Sequence, residues 1–380
     1  MRILIAPDKF KGSLEAADVC LAVEEGIKLA FPDADTISVP LADGGEGTTR
    51  ILTTYTHGRF LSVLVNDPLG RKIMAEYGIS GDGHTGFIEM ASASGLLLLS
   101  PEEHNPLLTS TFGTGELIRD ALDNGVKRII LGIGGSATTD GGIGMAEALG
   151  YRFYDTEGER LEAIGGSMGK IARIDIQNRD ERLESLEVVV ACDVKNPLYG
   201  LSGAAYVYGP QKGANDVVVK QLDEGLLNLS CVASETFGID VADVPGAGAA
   251  GGLGAGALWF LNASLQEGVG IVMEQTGIED EIKKADLVIT GEGKVDEQTL
   301  QGKVIKGLAD LCMKYKAPLA VVCGTLSISP EESREAGIAY SVSVLKEPTT
   351  LEKAQVEAFI NVRDATFNLV RLFFFKDQNR

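Results

Sequence analysis

The 380-residue chain has one Trp and three His (His57, His84 and His104), and only 6% of its residues are aromatic. No HExxH or His/Cys cluster occurs, so a dedicated zinc site is not expected. The five Cys (Cys20, Cys192, Cys231, Cys312 and Cys323) are scattered without a CxxC pair. An odd, dispersed set reads as reduced thiols of a cytoplasmic protein. No run of 18 apolar residues is present, so no segment should span a membrane. The opening MRILIAPDKF turns polar after a short apolar run and reads as a strand, not a signal peptide. GxxxxGK[ST] is missing, as is an HRD–DFG pair, which excludes a P-loop NTPase and a protein kinase. Positive charge is scarce: 34 Lys and Arg face 54 Asp and Glu, a formal net charge of -20. That surface repels nucleic acid and anionic lipid, so neither is an expected partner. It also repels anionic substrates, whose site must then be locally basic.

Glycine, by contrast, is plentiful, with 47 residues and no collagen period. Many tight strand-to-helix turns are the natural use of such a content. The length suggests two domains. RILIA (2–6) reads as a buried strand, Ser13 as the N-cap of a helix reaching Ala30, TISVPLA (36–42) as a strand, and Gly44 to Tyr55 as a helix. Residues 59–90 alternate around turn signals, the pattern of antiparallel hairpins. A helix near 114–124, strands at 128–134 and 186–194, and helices near 215–236 and 249–261 follow. The opening pattern then returns, with strands at 286–293, 318–324 and 338–345 and helices at 303–314 and beyond Leu351. Five strands interleaved with helices at the two ends make an α/β fold with a doubly wound, flavodoxin-like parallel sheet. The predicted domains are 1–58 with 282–380, and an inserted α/β domain at 59–281.

Ligands of a doubly wound sheet bind outside the carboxyl ends of its strands, where the strand order reverses. The loops expected there are APDKFKGS (6–13), ADGGEGT (42–48) and TGEGKVDEQTLQGK (290–303). They contribute Asp8, Lys11, Asp43, Glu46, Gly291, Glu292, Gly293, Asp296 and Lys303. A lone Asp-Gly more often caps a turn or helix than binds a ligand, and lone lysines are usually solvated charges. The third loop carries more charge than a turn requires. In the inserted segment GIGGSATTDGG (132–142) runs from a strand into a helix. Its Gly134, Gly135 and Ser136 offer an anion the backbone N–H groups of a helix N-terminus. ACDVKNPLYG (191–200) places Asp193 at a strand end, and GPQKGA (209–214) supplies Lys212. A carboxylate, a cation and a glycine cradle are the parts of phosphoryl transfer. GAGAAG (246–251) matches GxGxxG but follows no apolar strand, so its glycines are read as helix packing or cleft lining, not a dinucleotide site.

In this order, IAPDKFKGSLEA, PLADGGEGT, EMASASGL, STFGTGELI, GIGGSATTDGG, ACDVKNPLYG, GPQKGA, GAGAAGGLGAG and TGEGKVDEQT-x-x-GK resemble the glycerate kinase type-1 family, bacterial glycerate 2-kinases, over nearly the whole chain. The resemblance implies a flavodoxin-like domain interrupted by one related in shape to restriction endonucleases. It implies ATP:D-glycerate phosphotransferase activity in an interdomain cleft, with 2-phosphoglycerate favoured over 3-phosphoglycerate. ATP and Mg²⁺ are the implied cofactors, and a homodimer is compatible with it. On that reading Asp193 or Asp296 accepts the hydroxyl proton or holds Mg²⁺, and Lys212 and Lys303 balance charge on the transferring group. ATP falls to Gly134, Gly135, Ser136, Gly291, Glu292 and Gly293, and glycerate to Asp8, Lys11, Asp43 and Glu46. The chain departs from the family pattern at Lys9, where Ser is frequent, at Ile305, where Pro usually follows GK, and in CGTLSIS (323–329), which lacks a glycine. A ligand-sensing protein on the same scaffold, or a kinase for another small hydroxy acid, is the competing reading.

Overall fold

A computed structural model describes residues 1–42, 44–297, 299–300 and 304–375. These fall into two compact units, Met1–Asp43 with Val269–Arg380, and Gly44–Gly268.

The terminal unit is built on five parallel strands, Arg2–Ile5, Asp35–Ser38, Leu287–Val295, Leu319–Leu326 and Tyr340–Ser343. Counted along the chain, they lie in the order 2-1-3-4-5. Strands buried on both faces read as continuous apolar runs. Ile3, Ile5, Leu287, Ile289, Ala320 and Val322 share one core with Val19, Val23 and Ile27 of the helix Ala16–Ala30 and with Val362, Leu369 and Val370 of the helix Ala358–Phe373. The alternate residues Leu4, Val288 and Val321 are equally buried, on the face where period-2 alternation sends them.

The central unit carries a six-stranded sheet in the order Ser264–Gln266, Glu187–Ala191, Arg128–Gly132, Thr85–Glu89, Lys72–Ile79, Arg59–Asn66. The first four strands are parallel, and the last two join antiparallel. The hairpins expected at 59–90 are those antiparallel pairs. A small hairpin, Arg152–Tyr154 with Arg173–Asp175, had no periodic signal in strands of only three residues.

The seams lie away from the expected 58/59 and 281/282. The helix Thr48–Tyr55 packs on the central sheet, so the first seam precedes it. The helix Ile278–Ile282 packs on Val304–Tyr315 of the terminal unit, so the second falls at 268/269. Ser13 is not a helix cap. A tight turn bridges Phe10 to Leu14, the helix starts at Ala16 after Glu15, and the Ser13 hydroxyl donates to Gln355 O at 3.2 Å.

Candidate active site

The carboxyl ends of the four parallel strands in the central unit are level. Glu89, Gly132, Ala191 and Gln266 are successive partners across the sheet. The loops leaving them therefore share one edge. Gly44–Gly47 lies along it. Gly44 has φ 88°, and a Cβ there would stand 2.5 Å from Gly268 Cα and 3.2 Å from Ala191 Cβ, so only glycine passes. Glu89 Oε1 accepts N–H bonds from Gly47 (3.1 Å) and Thr49 (2.9 Å), a favourable place for negative charge at a helix start. The 42–48 loop was expected at the edge of the terminal sheet. Its described residues 44–48 instead belong to the central unit, and Glu46 is exposed there.

The loop after Arg128–Gly132 has an exposed tip, Gly134–Gly135, above a buried base, Ser136 to Asp140. Asp140 is fully buried and accepts four bonds: from Thr111 N (2.7 Å), Thr111 Oγ1 (2.8 Å), Gly142 N (3.1 Å) and Gly144 N (3.3 Å). Met145 N donates to the same Thr111 hydroxyl at 2.8 Å, which leaves the Thr111 proton for Asp140. Burial pushes the Asp140 carboxyl above its usual range, with these donors pulling the other way. The glycine-rich helix Ala249–Leu261 closes against the same base. Gly251 O accepts from Gly141 N at 3.1 Å, and a Cβ on Gly251 would stand 2.0 Å from Thr138 O. The GAGAAG glycines are packing residues.

Lys212 lies beneath this loop, not on its surface. It is 1% exposed and donates to Ser136 Oγ (2.7 Å) and Thr138 O (2.5 Å). Burial pushes its ammonium down to about 7, opposed by the charge of Asp140. Asp193, just past the strand Glu187–Ala191 that pairs with Arg128–Gly132, is exposed, and its Oδ1 accepts from Gly268 N at 2.9 Å. The structure thus brings Gly134, Gly135, Ser136, Lys212 and Asp193 to one edge. Asp140 and Glu89 escaped the sequence reading. Their only signals were an Asp-Gly-Gly after two Thr and an acidic residue closing an alternating strand.

In the terminal unit, Gly291, Glu292 and Gly293 lie in the strand expected at 286–293, not in the loop expected at 290–303. The strand runs on to Val295, with Gly291 opposite Val322 and Glu292 opposite Cys323. A Cβ on Gly291 would stand 2.2 Å from Val322 O, so this glycine serves strand approach. Gly291 O accepts from Asp8 N at 2.9 Å, and Asp8 Oδ1 accepts from Lys9 N at 2.6 Å. A Cβ on Gly293 would stand 3.3 Å from Lys11 N, which places exposed Lys11 beside it. The Thr299 hydroxyl donates to Glu292 Oε1 and accepts from Asp296 N, and Asp296 Oδ2 pairs with Lys294 Nζ at 2.9 Å. Asp8, Lys11, Glu292 and Asp296 therefore gather at this sheet's carboxyl edge, and Thr299 joins them unannounced by any motif. Asp43 and Lys303 lie outside the described residues. Ile305 is buried in the first turn of Val304–Tyr315.

Among the described residues no three His, Cys, Asp or Glu side chains gather around a metal position, and no helix is long and apolar enough to cross a membrane. Mg²⁺ asks for less than such a cage. It takes one or two carboxylates and completes its shell with phosphate oxygens and water, a demand that one carboxylate at a strand end fits.

Two α/β sheets whose parallel strands lead to carboxylates at their carboxyl edges, one edge carrying an exposed glycine tip on a buried base, are compatible with a phosphotransferase. The model of the glycerate kinase family matches residues 3–374. Glycerate 2-kinase of Escherichia coli K12 is 46% identical over 369 residues, 97% of each chain. A glycerate kinase of Halalkalibacterium halodurans is 46% identical over 367 residues, again 97% of each. A crystal structure from Salmonella typhimurium LT2, assigned as glycerate kinase 2, superposes with TM-score 0.91 at 44% identity, covering 100% of this chain and 99% of that one. The chain belongs to the glycerate kinase family. It is an enzyme, a kinase acting on glycerate, and kinase membership implies ATP as phosphoryl donor.

Proposed function

We propose that this enzyme transfers the γ-phosphoryl group of ATP to the 2-hydroxyl of D-glycerate, giving 2-phosphoglycerate in preference to 3-phosphoglycerate, in the cytoplasm. The observation that carries the reading is the central edge. Exposed Gly134–Gly135 and exposed Asp193 leave adjacent parallel strands side by side. ATP phosphates sit at the Gly134–Gly135 tip. This is preferred over Gly291–Gly293, whose backbone is occupied by strand pairing. Mg²⁺, when bound, neutralises charge on the donor phosphates, and Asp193 or Asp296 would hold it. The other of the two accepts the glycerate hydroxyl proton. Asp8, Lys11, Asp43 and Glu46 are assigned to glycerate, and Lys303 to the transferring group. The 2-position rests on the family resemblance and on the E. coli relative named as a 2-kinase. The strand order of the terminal unit supports a flavodoxin-like assignment, and the central unit is assigned as the restriction-endonuclease-like insertion.

Little covalent work falls to the protein in phosphoryl transfer; alignment and charge neutralisation dominate. ADP release from Mg-ATP should therefore require D-glycerate and be far slower with L-glycerate, tartronate or hydroxypyruvate. Equal rates across that acceptor panel would discard the substrate assignment. A ligand sensor on this scaffold would bind glycerate and release no ADP.

A further inference from the structure

Burying an ammonium is costly unless partners compensate, and Lys212, at the end of the turn Pro210–Lys212, is nearly sealed from solvent. Its two bonds both go to the loop that bears the glycine tip, at Ser136 Oγ and Thr138 O. An ammonium has donors and no acceptor. Ser136 Oγ must therefore accept from Lys212, and the Ser136 proton has to be given elsewhere. The Ser136 hydroxyl finds no acceptor for that proton among the described residues. The loop backbone on either side is already engaged: Gly135 O accepts from Leu96 N at 2.8 Å, and Ala137 N donates to Ser94 O at 2.9 Å. Ser136 directly follows the exposed Gly134–Gly135 pair.

We infer that Lys212 is a positioning residue: its buried ammonium makes the Ser136 hydroxyl an obligate donor to a phosphate oxygen of ATP at the Gly134–Gly135 tip. This rests on the proposed placement of ATP. The hydroxyl acts as a relay, since Lys212 itself does not reach the surface. The charged group that acts on Lys212 is Asp140, and burial outweighs it to hold the ammonium near neutrality. As pH rises past that point the amine becomes neutral and can accept the Ser136 proton instead. The donor to ATP is then lost, so ATP binding weakens with rising pH. A purely structural lysine would change stability with pH but not the Michaelis constant for ATP alone.

The test measures KM for ATP and for glycerate, and kcat, on both sides of neutrality. The enzymes are wild type, Ser136→Ala, Lys212→Met, the double variant and Gly134→Asp. Wild-type KM for ATP should climb with pH. Ser136→Ala and Lys212→Met should each raise it about tenfold or more on the acid side, the worth of a hydrogen bond to a charged group. Both should flatten its pH dependence and leave KM for glycerate in place, and the double variant should be no worse than either single one. Ser136→Ala keeps the Lys212 bond to Thr138 O, so it decides the matter even if Lys212→Met does not fold. Wild-type KM and slope in Ser136→Ala overturn the inference. Gly134→Asp sets a carboxylate at the exposed tip and should raise KM for ATP at least as far. If Gly134→Asp raises KM and Ser136→Ala does not, the positioning role alone is wrong. If neither raises it, ATP does not sit at this tip, and the inference falls with that placement.

Discussion

The two sheets both end in glycine and charge at their carboxyl edges, yet the edges are built in opposite ways. In the central unit the glycines form the exposed tip of a loop whose base is fastened from below by Lys212, Thr111 and the Ala249–Leu261 helix. In the terminal unit Gly291 and Gly293 are strand residues. There the polar groups are tied to one another: Thr299 to Glu292, Lys294 to Asp296. Backbone groups committed to a ladder are not on offer to a ligand. Glycine content therefore does not mark a phosphate cradle. On the proposed placement of ATP, what marks it is an exposed glycine tip outside any strand ladder, as at Gly134–Gly135.

The largest effect that can break this contrast comes from the carboxylates. Asn keeps the shape of Asp but neither accepts a proton at neutral pH nor brings charge to Mg²⁺. Asp193→Asn and Asp296→Asn should fold normally and each lose roughly 10²- to 10⁴-fold in turnover. Partial rescue by excess Mg²⁺ identifies the metal-side carboxylate. Loss of the acidic limb of the pH–rate profile without rescue identifies the base. Near wild-type turnover in both would show that neither carboxylate takes part. Next comes Lys303→Ala, expected to lower kcat by about 10²-fold, the scale for one transition-state charge donor, with little change in melting temperature. An unfolding variant whose folded fraction keeps full specific activity would make Lys303 structural.

Smaller effects sharpen the difference between base and tip. Gly251→Ala would drive a Cβ to 2.0 Å from Thr138 O, at φ 69°. It should cost about 1–3 kcal/mol of stability, as overpacking does, and raise KM for ATP by disturbing the loop base. Gly293→Ala meets nothing closer than 3.3 Å and should melt near wild type. Equal losses in chemical denaturation would erase the distinction. The smallest effect is a pH dependence. The folded pKa of Lys212 lies below that of an ordinary lysine, at about 7. The unfolded chain thus binds the proton more readily across the interval above neutrality. Stability from this group is present in full only above the ordinary lysine pKa, and is lost as pH falls towards 7. Melting curves of Lys212→Met should lack that alkaline gain. An identical pH trend in both proteins would remove the buried ammonium from the account.

The terminal sheet was legible because Arg2–Ile5, Leu287–Val295 and Leu319–Leu326 carry apolar runs and all five strands alternate with helical segments, the pattern of a doubly wound sheet. The seams were less so. No linker composition marks them, and the decision to place the Thr48–Tyr55 helix in the central unit is made by packing on Lys72–Ile79 and Thr85–Glu89, which sequence does not display. At the site, Asp193 and Gly134 stood out as charge and glycine just past strands, and Lys212 as a cation among the glycines of GPQKGA. That Lys212 points beneath the loop was not readable, because burial of a lysine depends on residues 74 and 76 positions away. The strand expected to end at 293 runs on through Lys294 to Val295, and that extension was hidden for a related reason. Gly, Glu and Lys are poor strand formers, and the pairing with Leu319–Leu326 overrides their preference.

The central claim is a phosphoryl transfer to one particular hydroxyl, and proton-coupled phosphorus NMR of the product reads it directly. With Mg-ATP and D-glycerate, the phosphate monoester signal should be a doublet, split by the single hydrogen on the 2-carbon. A triplet, from the two hydrogens of the 3-carbon, would contradict the 2-position while leaving the kinase in place. Inorganic phosphate with no monoester signal would contradict the transfer itself.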